Sequence, residues 1–155
     1  MIEYDLTKGR GRTRVNVTVN SLGSDLVVRI YNQEAHVGAV AVGDYDYEHE
    51  RASVSVITRL GHKDDVLAGE AAYLLSKSTR RSVCVIAGVH VDNATMDEID
   101  GILANTKAAV GEIADACGQQ ERTRPSRTTD TLGEPRNHQR KLYKGLRAIQ
   151  HNRFP

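Results

Sequence analysis

Apolar and polar residues alternate strictly early in the chain. Val15, Val17 and Val19 interleave with Arg14, Asn16 and Thr18, the period of a strand with one buried face. Residues 20–24 turn the chain, and Leu26, Val28 and Ile30 then alternate with Val27, Arg29 and Tyr31, which predicts an antiparallel hairpin. Residues 37–42 predict a third strand, small and apolar on both sides and interrupted by Gly38. Residues 51–58 predict a fourth, with Ala52, Val54 and Val56 opposite Ser53 and Ser55. The acidic stretch 43–50 between them reads as an exposed loop.

After Gly61 the period lengthens to that of a helix, with Val66, Leu67, Ala71, Leu74 and Leu75 on one face and Asp64 or Asp65 placed to cap its start. Residues 82–87 predict a fifth strand. Thr95 and Glu98 then have the spacing of a capping box, and Met96, Ile99, Ile102, Leu103, Ala109, Val110 and Ile113 form the apolar stripe of a long second helix. The order ββββαβα, with four strands joined by short loops, predicts an α+β fold: a largely antiparallel sheet with two helices on one face. The strand at 37–42 is apolar on both sides, so the other face needs cover, and a homodimer pressing sheet on sheet provides it.

The 155 residues are 39% apolar and 26% charged, an ordinary globular balance that excludes disorder throughout. Charge divides the chain in two. Residues 1–117 carry 12 basic and 17 acidic side chains, and residues 118–155 carry 9 and 3, together with all three prolines. The second part is too poor in apolar residues to offset its ordering entropy, and is expected to be a disordered or partly helical basic tail behind a folded domain at 1–117. Leu142, Leu146 and Ile149 could line one side of a short basic helix that docks an acidic partner; the alternative is a solvated tail. There is no apolar run of about 18 residues to span a membrane and no secretory pattern at the start, so a cytoplasmic protein is expected. Cys84 and Cys117 have no disulfide or metal spacing and read as buried small side chains. The acidic domain argues against nucleic-acid binding.

Three polar segments fall at predicted strand ends: Glu34-Ala35-His36, Gly61-His62-Lys63-Asp64-Asp65 and His90-Val91-Asp92-Asn93. The other histidines are set aside, His49 in the acidic loop and His138 and His151 in the tail. No serine or cysteine occupies a nucleophile elbow. His62, His90, Asp64 and Asp92 offer ligands for zinc or manganese, without the close spacing of HExxH; the alternative is that the aspartates cap helices and form turns while the histidines bond backbone. Gly61-His62-Lys63 before a helix start also suits an anion, although Asp64 and Asp65 oppose one.

In their order along the chain, His36-Val37-Gly38-Ala39-Val40, Gly61-His62-Lys63-Asp64-Asp65 and Ala87-Gly88-Val89-His90-Val91-Asp92-Asn93 resemble the LpdD-like prenylated-flavin chaperones, over roughly residues 10–117. The resemblance implies a dimeric protein similar in fold to proteasome assembly chaperones. It also implies a non-catalytic role: holding reduced prenylated FMN and passing it to a UbiD-type decarboxylase. The implied ligand surface is His36, Gly38, Gly61, His62, Lys63, Asp64, His90, Asp92 and Asn93, with Lys63 or nearby backbone N–H groups on the phosphate and the imidazoles on the flavin's polar edge. Two other readings stand beside it, a protein-assembly chaperone without a small ligand and a metal-dependent enzyme.

Overall fold

The computed structural model describes residues 2–123; residues 118–123, expected to open the basic tail, instead continue the second helix, and the rest of the predicted tail, 124–155, lies outside the described residues. Six strands form one sheet: β1 (Ile2–Lys8), β2 (Val15–Leu22), β3 (Asp25–Tyr31), β4 (Ala39–Asp46), β5 (Arg51–Thr58) and β6 (Val83–Gly88). Helix α1 (Asp65–Thr79) lies between β5 and β6, and α2 (Met96–Thr123) follows β6. The spatial order is β1-β2-β3-β6-β4-β5. Every neighbouring pair is antiparallel except β3 and β6, which run parallel because β4, β5 and α1 intervene as a crossover.

Alternate residues of each strand point to opposite sheet faces. Val17 faces Ile30 across the β2–β3 pair, Val28 faces Val85 across β3–β6, and Ala41 faces Val85 across β6–β4. These side chains are fully buried beneath the two helices. The helices do share one face, as the patterning predicts. The small residues of β4 let α1 approach closely: a Cβ on Gly43 would stand 2.5 Å from the carbonyl oxygen of Ala72.

Several local expectations need correction. The sequence reading has no strand before residue 14, whereas β1 pairs with β2 along the sheet edge and turns Tyr4 and Leu6 toward the core. The expected loop at 43–50 is shorter, because β4 continues to Asp46 in register with Arg51. The buried face of α1 is Leu67, Ala68, Ala71, Ala72 and Leu75, while Val66 and Leu74 are exposed. In α2 the core-facing residues begin at Ile102, and Met96, Ile99 and Leu103 face outward. Cys117 is buried but Cys84 only half so, on the helix-free face. Among the described residues no helix is long and apolar enough to cross a membrane.

The capping box forms as predicted. Thr95 N–H donates to Glu98 Oε2 at 2.9 Å, and Glu98 N–H donates to Thr95 Oγ1 at 3.2 Å. Arg12, from a short 3-10 helix at Gly11–Thr13, donates from Nε to Glu98 Oε1 at 2.6 Å. That hydrogen bond, joined by the Thr95 backbone bond, holds the Glu98 carboxyl below its ordinary pKa. A lowered folded-state pKa means that the ionised form favours folding. The contribution is therefore present above the unfolded carboxyl's pKa and lost as pH falls through the folded one. Thr95→Ala should lower stability by about 1 kcal/mol in denaturant unfolding. Glu98→Gln should destabilise at neutral pH, with the gap to wild type closing in acid.

Candidate functional site

The topology explains why the polar segments meet. β3 and β6 run in one direction and end at the same side of the sheet, where antiparallel β4 and β2 begin and β5 ends. The β3–β4, β5–α1 and β6–α2 loops therefore emerge together, carrying His36, His62 and His90. The ring centroids of His36 and His62 are 4.7 Å apart, edge to face, and those of His36 and His90 are 5.0 Å apart. His36 is the centre of the group.

The outer histidines each have a carboxylate neighbour. His90 Nε2 lies 2.9 Å from Asp92 Oδ1, and His62 Nδ1 lies 3.4 Å from Asp64 Oδ2. Among the described residues His36 makes no hydrogen bond or ion pair, which leaves its ring nitrogens available to a ligand. Asp64 is buried. It occupies the position expected for a helix cap but makes no side-chain cap bond; instead Oδ1 accepts Val89 N–H at 2.9 Å, tying the β5–α1 loop to the β6–α2 loop. Its carboxylate fits only because residue 38 is glycine: a Cβ there would overlap Oδ2 and come 2.5 Å from Cγ.

Two ties that sequence reasoning missed hold the other loops. Asn32 exchanges hydrogen bonds with the His90 backbone, Nδ2 donating to the carbonyl at 2.6 Å and Oδ1 accepting the N–H at 3.1 Å. Arg59 straps the His36 segment, its N–H donating to Gly38 O at 2.8 Å and Nη1 to Val37 O at 2.7 Å. The only sequence signal for either was a polar residue just beyond a strand end.

Two cavities adjoin the cluster. A cleft of about 840 Å³ is lined by polar groups that include Arg12, Arg14, Asn16, Asn32, His90 and Asp92. A smaller hollow of about 230 Å³ is lined by Ile30, Val37, Ile86 and Gly88 beside His36. Tyr31 and Ala35 border both. The cleft lies within the roughly 300–1,000 Å³ usual for cofactor-sized ligands, and the hollow supplies the apolar wall that a ring system needs. Gly61, His62, Lys63, Asp64 and Asn93 line neither cavity; Lys63 and Asn93 are exposed, the latter with a left-handed backbone at φ 49°. Among the described residues no group of three or more His, Cys, Asp or Glu side chains is arranged to hold a metal ion.

The family model for the prenylated flavin chaperone LpdD-like domain matches residues 9–118, more than two thirds of the chain. The chain belongs to this family. The LpdD-like match starts at Gly9, just after β1, and ends inside α2, whose helix continues to Thr123. A chaperone family assigns a non-catalytic role. No curated protein matches the chain. Among solved structures, a chain from a crystal structure of a chaperone complex for yeast 20S proteasome assembly is similar, with TM-score 0.48 and 14% identity, over 76% of this chain and 96% of that one.

Proposed function

We propose that this LpdD-like chaperone binds reduced prenylated FMN and hands it to a UbiD-type decarboxylase. The observation that carries this reading is the convergence of three loop-borne histidines beside a cofactor-sized cleft with an apolar annexe. His36 and His90 hydrogen-bond the flavin's polar edge, His62 braces the His36 ring edge to face, and Asp64 and Asp92 orient the outer two. Gly38 keeps its strand close enough for Asp64 to reach across, while Gly61, Lys63 and Asn93 shape the surrounding loops. An open cleft suits a carrier, because transfer needs dissociation on a useful timescale.

The helix-free sheet face supports a homodimer. Arg29, Ile86, Val40 and Ile57 form one cross-strand row on it, and Val27, Cys84, Val42 and Ser55 the next. Ile57, on the edge strand β5, is 76% exposed and Val42 is 42% exposed, so large apolar side chains on this face meet solvent in the single chain. A second copy laid on the β4–β5 side of this face buries Val40, Val42 and Ile57 and leaves Ile86 to the hollow.

Anaerobic titration with reduced prenylated FMN and with plain reduced FMN tests the ligand. Tight, saturable binding of the prenylated form is expected, with His62→Ala and His90→Ala each weakening it by roughly 5- to 10-fold while circular dichroism stays unchanged. Binding of neither flavin would leave the protein-assembly reading in its place.

A further inference from the structure

We propose that the ligand's ribityl-phosphate arm occupies the large cleft, with Arg14 as the phosphate-binding residue in place of Lys63; this rests on the flavin reading above. The hollow and the cleft share Tyr31 and Ala35, so they form one continuous surface with a mostly apolar end and a polar end; Arg29, which borders the hollow, is tied through Nε to Thr18 Oγ1 at 3.0 Å. An amphipathic flavin fits such a surface in one orientation: rings against Val37 and Ile86, and the polar arm running past Tyr31 into the cleft.

Of the two arginines in the cleft, only Arg14 is free to take an anion. Arg12 is committed through Nε to Glu98 and through Nη2 to the Asp92 carbonyl at 2.7 Å. Arg14 is exposed; its backbone N–H donates to Gly11 O at 3.2 Å, but its guanidinium makes no hydrogen bond or ion pair among the described residues. Its backbone is extended at φ −65°, ψ 131°, and it stands two residues before Asn16, so both side chains project toward the same sheet face. Asn16 is directly opposite Tyr31 in the β2–β3 register, and its Oδ1 already accepts from Thr7 Oγ1 at 2.8 Å. That leaves the Asn16 amide as a donor to the cleft, next to the guanidinium.

The cleft also holds two carboxylates, Glu34 and Asp92, which would oppose a bare phosphate. They suit a polyol phosphate, whose hydroxyls need acceptors. Arg12 adds its guanidinium to the same lining. Lys63 lacks these features: it lines neither cavity, and the buried Asp64 carboxylate occupies the adjoining α1 start, where an anion would otherwise be favoured.

The test is an anaerobic titration of wild type, Arg14→Ala, Arg14→Lys and Lys63→Ala with reduced prenylated FMN and with reduced prenylated riboflavin, which lacks the phosphate. Arg14→Ala should weaken binding of the FMN form by roughly 10- to 100-fold and leave the riboflavin form unchanged, with partial recovery in Arg14→Lys and no change in Lys63→Ala. Equal losses for both ligands in Arg14→Ala, transfer of the phosphate effect to Lys63→Ala, or equal wild-type affinity for the two ligands would each overturn the assignment to Arg14 while leaving the flavin reading intact. Wild type binding neither ligand would overturn the flavin reading, and the Arg14 assignment with it.

Discussion

Gly88→Ala is expected to lower stability by about 1–3 kcal/mol and to abolish measurable flavin binding. A Cβ at this position would overlap the carbonyl oxygen of His36 and come within 2.7 Å of its carbonyl carbon. The obstacle is backbone, so no rotamer change relieves it. Either the end of β6 withdraws from β3, where Gly88 pairs with Tyr31, or the His36 segment lifts away. The second movement strains the Gly38 N–H bond to the Ala87 carbonyl, 2.9 Å long, and both Arg59 straps. His36 then leaves the centre of the imidazole group and the floor of the hollow moves with it. Gly111→Ala is the matched control, since its Cβ would meet nothing within 4 Å and alanine favours the helix. Denaturant unfolding and flavin titration of both variants check this; a Gly88→Ala protein with wild-type stability and affinity would refute the tight packing of these loops.

The second large effect concerns the helix-free face. Val42→Asp combined with Ile57→Asp is expected to turn the proposed dimer into monomers, raising the dissociation constant by roughly a hundredfold or more, because each carboxylate would have to be buried unpaired against apolar neighbours. Both side chains are solvent-facing in the single chain, so the fold itself should persist. Sedimentation at several concentrations reads the outcome directly. A wild-type protein that sediments as a monomer at micromolar concentration would show that a second copy does not cover this face.

Legibility in the sequence followed the strength of each physical signal. The strands of β2 and β3 were plain because valine, leucine and isoleucine alternate over whole elements there, and Thr95 with Glu98 announced α2 through a local pairing that needs no tertiary information. β1 was hidden because Tyr4 and Leu6 are too few to establish a period; it exists through pairing with β2. The exposed sides of α1 and α2 were misassigned where large apolar residues lie at helix surfaces, while the true packing face of α1 is built largely from small residues, Ala68, Ala71, Ala72 and Ser76 among them, that let it sit close on β4. In the site, the histidine segments could be picked out as polar interruptions at strand ends. Arg12, Asn32 and Arg59 could not, since their roles depend on partners 22 to 86 residues away.

Among the described residues β6 is the last strand, and it is inserted at the middle of the sheet, between β3 and β4. During synthesis the inner edges of the β1–β3 and β4–β5 units consequently stay unpaired until residues 83–88 have emerged from the ribosome. The same segment delivers His90 and the Val89 N–H that Asp64 accepts. A nascent chain therefore completes its sheet and assembles its imidazole cluster in one event.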